Sequence, residues 1–204
     1  MSLVLVVLAV ALAVGWARGG SLDRLGALPL RSRRLVLGAF AAQLLGTVIG
    51  GPFYPIGLAA SAGLVVAFLV RNRGVRGTGL VALGLLANAL VVGANGAMPV
   101  SAHAAGRAGV GVQDLLTGAD PRHSFAGPDT RLRRLSDVVP VPLPLRPEVV
   151  SAGDVLVAAG LGQLVALGMV GAGVIERAQG PRRGRPRGAP PSLPGWTSVG
   201  PPSG

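Results

Sequence analysis

The sequence predicts an all-α, polytopic membrane protein with five transmembrane helices and an extracytoplasmic loop between helices four and five. Three observations carry that prediction. Of 204 residues, 50% are hydrophobic and 13% charged, whereas soluble domains carry about 25% charged residues. Mean hydropathy is +0.59. Uncharged stretches run from Met1 to Ala17, Leu35 to Val70, Gly77 to Gly106 and Val155 to Ile175. The net charge of +11 comes from 19 basic residues, all of them Arg, and they are placed unevenly. A disordered chain would be apolar-poor and charge-rich. A disulfide scaffold would need cysteine, and there is none. The length fits one domain.

Five spans follow, at about 2–17, 35–51, 55–70, 78–97 and 153–175, each near the ~20 residues that crossing a bilayer requires. None shows the polar stripe of a soluble bundle helix. The first lacks a positive leading region and is followed by five Arg. It therefore reads as a retained anchor rather than a cleaved signal peptide, although residues 13–16 mimic a cleavage site. The second and third are separated by a tight turn at Gly50-Gly51-Pro52-Phe53-Tyr54-Pro55, which no helix crosses comfortably.

Charge sets the orientation. Arg18, Arg24, Arg31, Arg33 and Arg34 join spans one and two, and Arg71, Arg73 and Arg76 join spans three and four. Arg177, Arg182, Arg183, Arg185 and Arg187 follow span five. These alternate connections hold 13 Arg against two acids, Asp23 and Glu176, while the loop at 98–150 sets six Arg against five acids. Short cytoplasmic segments carry the positive excess, so the N-terminus lies outside and the C-terminus in the cytoplasm of a bacterial plasma membrane. Residues 1–175 then form one transmembrane domain. Residues 176–204, rich in Arg, Pro and Gly, form a disordered cytoplasmic tail, which anionic lipid would attract.

Small residues thin the spans. Gly46 and Gly50 form a G-x-x-x-G pair, and Gly160, Gly168, Gly171 and Gly173 line the fifth. Packing inside the bundle explains them better than a dimer face, although a homo-oligomer or a membrane-protein partner is compatible with them. Polar groups at membrane depth are few: Gln43, Thr47, Asn88, Asn95 and Gln163. Asn88 and Asn95 are seven apart and share a helix face. No ionisable residue lies deep in a span, which favours structural bonding over ion-coupled transport.

In the 98–150 loop, Val112–Gly118 reads as a short surface helix and Thr130 as the start of another. Pro140, Pro142, Pro144 and Pro147 predict a stiff polyproline-like strap back to the membrane. Three patterns stand out: Asn95-Gly96-Ala97-Met98-Pro99-Val100, Leu135-Ser136-Asp137-Val138-Val139-Pro140, and Ser151-Ala152-Gly153-Asp154-Val155-Leu156. Asn95-Gly96 suits a helix stop in the left-handed region. Ser151 and Asp154 have the spacing of a capping box before an apolar run. Asp137 reads as a loop carboxylate paired with Arg133 or Arg134.

In order and spacing the three patterns resemble a family of uncharacterised bacterial integral membrane proteins, found largely in actinobacteria and clostridia and known only as a domain of unknown function. The resemblance is densest from Asn88 to about Leu167. It implies a multi-span membrane protein and no established activity.

Catalytic templates fail. There is no cysteine, no G-x-S-x-G elbow and no phosphate-binding G-x-x-x-x-G-K-[ST] loop, so no cofactor is expected. His103 and His123 share the loop with Asp114, Asp120 and Asp129, but the spacing fits no zinc pattern and no metal is expected. Nucleic-acid binding fits poorly, because the arginines sit beside membrane spans. The expectation is a non-enzymatic accessory or partner-binding component that uses its outer loop. The alternative is a small transporter or membrane-embedded enzyme with a polar site at the outer end of helices four and five. Asn88, Asn95, Gly96, Met98, Pro99, Asp137, Pro140, Ser151, Gly153 and Asp154 are the candidate functional or structural residues.

Overall fold

The computed structural model describes residues 2–49, 53–111, 123–144 and 146–175. The expected helix at Val112–Gly118, Asp114, Asp120, the Gly50–Pro52 part of the turn, the Thr47 side chain and the tail from Glu176 lie outside the described residues.

The chain is mostly helical, and each long apolar run of the sequence becomes a helix. These are α1 (Ser2–Ala17), α3 (Arg34–Ile49), α4 (Phe53–Arg71), α5 (Thr78–Asn95) and α7 (Ala152–Met169), with short α2 (Leu22–Gly26) and α6 (Ala102–Ala108) between them. Two of them, α5 and α7, are long and apolar enough to cross a membrane. Their 18 residues each span roughly 27 Å at 1.5 Å per residue, against ~30 Å of hydrocarbon in a bilayer. α1 and the apolar stretches Arg34–Gly46 and Ala59–Arg71 are shorter. α7 is the central helix, with α1 and α5 both packed on it, and α3 pairs with α4.

The connections sort to two ends. At one end Gly19 turns the chain out of α1 (φ 71°), and the Ser21 amide donates to the Met169 carbonyl at 3.0 Å. There the Arg76 amide also reaches the Gly173 carbonyl at 2.7 Å, so the α1–α2, α2–α3 and α4–α5 connections gather with their arginines. At the other end the Ser2 and Leu3 amides, which open α1, donate to Glu148 at 2.9 and 2.5 Å. That carboxylate satisfies helix-terminal donors that α1 has no local residue to cap.

Three expectations need correction. The last helix stops at Met169 rather than running to 175, because Gly171 is left-handed (φ 80°) and the Ala172 amide returns to the Leu167 carbonyl at 2.8 Å. Val174 then bridges Val75 in the α4–α5 turn. Second, the chain is not all-α, because strands form in the loop. It carries β1 (Met98–Val100) parallel to β2 (His123–Phe125), and β3 (Val139–Val141) antiparallel to β4 (Glu148–Val150). The proline-rich segment is extended as expected, but it doubles back, with Pro140 opposite Val149. Third, Thr130 opens no α-helix. A 3-10 turn forms at Arg133–Leu135, behind Leu132 in the left-handed region (φ 54°).

The tightest helix contact lies between α5 and α7, which run antiparallel. A Cβ on Gly84 would lie 2.9 Å from the Val157 amide nitrogen and overlap the Gly153 carbonyl, and one on Gly153 would lie 2.6 Å from the Gly84 carbonyl. Seven residues along each helix the device repeats, where a Cβ on Gly160 would lie 2.7 Å from the Gly77 carbonyl. Gly46 contributes a similar approach between α3 and α4, against Gly57. Small residues at such points let helix backbones come together. Gly84→Ala and Gly153→Ala should each lower stability by about 1–3 kcal/mol through overpacking. Gly93→Ala on α5, where a Cβ meets nothing within 4 Å, should leave it unchanged. Thermal unfolding in detergent checks all three.

Candidate functional site

Where α7 begins, Ser151 and Asp154 form the capping box expected of their spacing. The Asp154 amide donates to Ser151 Oγ at 2.9 Å, and the Ser151 amide donates to Asp154 Oδ2 at 3.1 Å. α5 joins this cap through Asn88. Its Nδ2 donates to Asp154 Oδ1 at 2.8 Å, and its Oδ1 accepts the Ser151 hydroxyl at 2.8 Å. The three residues close a ring in which each bonds to the other two. Gly153, between the two cap residues, is what admits Asn88, since a Cβ there would overlap the amide. The Ser-x-Gly-Asp sequence thus has one mechanical reading: a cap, a gap for the neighbouring helix, and a carboxylate that ties that helix in.

The second pattern sits beside it. α5 ends at Gly96, left-handed at φ 82°, with its amide on the Val92 carbonyl. β1 follows at once, bringing Met98 and Pro99 into buried positions. β2 lies on one edge of β1. On the other, the Asp137 amide donates to the Pro99 carbonyl at 3.0 Å, and the Ser101 amide donates to the Asp137 carbonyl at 2.9 Å. Proline is tolerated in β1 because only its carbonyl is called on there. Asp137 does not pair with Arg133 or Arg134 as expected, since both are exposed in the 3-10 turn. Its Oδ2 instead lies 3.8 Å from His123 Nε2, which β2 brings alongside.

Asp137 is only 5% exposed, and its Oδ1 has no hydrogen-bond partner among the described residues, nor has Ser136 Oγ. Burial pushes the Asp137 carboxyl from 3.8 up to about 7; the Asp154 charge adds to the rise, and His123 opposes it.

Asn95 leaves this cluster, although it shares a helix face with Asn88. Its Nδ2 caps the Val91 carbonyl at 2.8 Å and donates to the Arg131 carbonyl at 3.0 Å, while its Oδ1 accepts the Arg131 amide at 2.9 Å. A shallow cavity of about 250 Å³ opens beside it, lined in part by Ser124, Asp129 and Thr130. Pro140, in β3, is half-buried and lies opposite Val149 of β4. His103 is exposed on α6, and among the described residues no His, Asp and Glu gather as a metal site.

Sequence reasoning missed Asn72 altogether. At the Arg-rich end it does what Asn95 does: Nδ2 donates to the Phe68 and Arg31 carbonyls at 2.8 and 3.0 Å, and Oδ1 accepts the Arg31 amide at 2.7 Å. An Asn two residues beyond a long apolar run was the available signal.

Chemically, the Asn88–Ser151–Asp154 ring is satisfied and holds helices, whereas Asp137 can exchange a proton near neutrality. Because its folded value is raised, Asp137 stabilises the fold fully only below its ordinary value, and that contribution declines as pH rises towards about 7. The melting temperature should therefore fall between about pH 4 and 7 in the parent protein, and the Asp137→Asn variant should show a flatter profile there. Parallel slopes would contradict this.

No characterised protein and no solved structure matches the chain. The family of unknown function DUF5317 matches residues 28–166, from just after α2 through most of α7. That match covers about two-thirds of the sequence, including the α5–α7 contact and the polar cluster, and the chain accordingly belongs to the DUF5317 family.

Proposed function

We propose that this is a five-span protein of a bacterial plasma membrane, N-terminus outside, acting as a non-enzymatic accessory component whose 98–150 cap binds a membrane-protein partner or a second copy. One observation carries the membrane reading. The long helices present large apolar side chains outward, with Val48 74%, Leu37 70%, Phe40 68% and Leu5 68% exposed, while the net-positive connections, α1–α3 and α4–α5, collect at one end. Water would oppose such walls, whereas lipid solvates them. The accessory reading rests on the satisfied ring at Asn88, Ser151 and Asp154, which leaves those groups little to offer a substrate.

The second reading, a small transporter or membrane-embedded enzyme, draws on Asp137. Asp137 is a buried, titratable carboxyl beside His123, with one oxygen that has no hydrogen-bond partner among the described residues, and so has chemistry to spare. Under that reading Asp137→Asn abolishes a cellular phenotype at unchanged protein level. Under the accessory reading the phenotype survives, and substitutions on the exposed face of the cap remove it.

Topology can be tested cleanly because the chain has no cysteine. Ser124→Cys in intact cells should react with a membrane-impermeant maleimide, and Ser192→Cys should react only after lysis. Equal labelling of both in intact cells, or release of the protein by high salt without detergent, would overturn the proposal.

A further inference from the structure

We propose that the Arg-rich end holds a site for one anionic phospholipid, its phosphate on Arg31, Arg71 and Arg73 and one acyl chain in the groove between α4 and α5. This rests on the membrane reading above, with that end in the cytoplasmic leaflet. A cavity of about 760 Å³ lies between the α2–α3 connection and the α4–α5 turn. Its wall carries three guanidinium-bearing residues, Arg31, Arg71 and Arg73, and no acidic residue among those described, and its floor includes Val70, Val174 and Ile175. All three arginines are exposed. Among the described residues none of them pairs with a carboxylate, and Arg71 makes only a long bond of 3.4 Å to Ser32 Oγ.

A second cavity of about 680 Å³ adjoins the first, sharing Val70 and Arg73 with it. It runs from Ser61 to Val70 on α4, with Arg73 in the turn just beyond, and from Thr78 to Ala89 on α5, and Val66, Leu69, Leu85 and Leu86 give it an almost wholly apolar wall. α4 and α5 touch only slightly despite being consecutive, which leaves this face of both helices unpaired. From Ser61 to Arg71, where α4 ends, the helix rises roughly 15 Å, which matches the ~15 Å depth of one hydrocarbon leaflet.

Charge and shape together select the occupant. Guanidinium groups recognise phosphate by paired hydrogen bonds and resist desolvation less than ammonium groups do. Free phosphate would use the first cavity and leave the second empty. A neutral lipid would fill the second and gain nothing from three arginines. A diacyl phospholipid with a net negative headgroup uses both. The backbone that carries the arginines is fixed beforehand, because Asn72 clamps the Arg31 backbone and the Thr78 hydroxyl closes the α4–α5 turn on the Asn72 and Val75 carbonyls at 3.0 and 2.7 Å.

The test uses the full-length protein, delipidated in neutral detergent, with binding followed by thermal shift and by native mass spectrometry. Dioleoyl-phosphatidylglycerol should bind one molecule saturably and raise the melting temperature, whereas dioleoyl-phosphatidylcholine and inorganic phosphate should not. Arg31→Gln with Arg73→Gln should weaken phosphatidylglycerol about thirtyfold, on the scale of ~1 kcal/mol for each basic residue. Ala82→Trp, which fills the groove, should weaken it with all arginines intact. Arg133→Gln with Arg134→Gln, at the opposite end, should change nothing. Equal binding of phosphatidylcholine, equal binding of free phosphate, or unchanged affinity in either the arginine pair or Ala82→Trp would overturn the site. If the arginine pair does not fold, Ala82→Trp and the comparison of lipids decide. A protein that needs no detergent would instead sink the membrane reading itself.

Discussion

α5 and α7 approach so closely at Gly84 and Gly153 that no side chain fits between them, and the rest of the molecule is arranged around that contact. Helices with apolar faces all round gain little from touching one another in lipid, so association depends on close van der Waals fit and on hydrogen bonds across the seam. Both occur at the same place. The glycines bring the backbones together, and the Asn88–Ser151–Asp154 ring fixes the register of one helix against the other. With α7 held in this way, its opposite face receives α1, where a Cβ on Gly162 would meet Val7 at 2.7 Å. Its far end receives α2, through Gly168 against Leu25 and Leu28.

The two ends of the bundle are finished by one repeated device. Asn72 and Asn95 each stand at the end of a helix, cap a carbonyl four residues back, and exchange two hydrogen bonds with the backbone of a distant arginine. A side-chain amide is suited to this, since it presents a donor and an acceptor in the same arrangement as a peptide group. Each clamp satisfies loop backbone that would otherwise go unpaired, and each ties a connection to the helices without help from its charged side chain. Arg31 of the α2–α3 connection and Arg73 of the α4–α5 turn line one cavity beside the first clamp.

What the sequence made legible was local. Long uncharged runs located the five long helices, because period and hydropathy need no partner to be read. Ser151 and Asp154 announced their cap because both ends of the interaction lie within one turn, and Gly96 announced a stop for the same reason. The features missed were those whose partner is distant. Asn72 meets Arg31, 41 residues away, and Glu148 meets Ser2, 146 away. The expected partner of Asp137 was a near neighbour in the chain, yet β2 carries His123 to it across the cap. Three-residue strands built partly of proline, such as β1 and β3, leave almost no periodic signal. The early stop of α7 was hidden because Val170, Ala172 and Val174 keep the run apolar, and only the glycines between them turn the chain.

The candidate site divides in the same way. Asn88, Ser151, Gly153 and Asp154 form one mechanical unit, and Asp137, a strand away, keeps one oxygen without a hydrogen-bond partner among the described residues, as does the neighbouring Ser136 hydroxyl. Its raised carboxyl follows from that placement, while the ring beside it has spent its polar groups on holding α5 to α7. That the ring couples the two helices is the central claim, and a double-mutant cycle on Asn88→Ala and Asp154→Ala, read from unfolding free energies in bicelles, measures it most directly. A coupling of about 1 kcal/mol between the two positions is the expected result. Additivity within about 0.3 kcal/mol would show that Asn88 and Asp154 act independently, and would contradict the account.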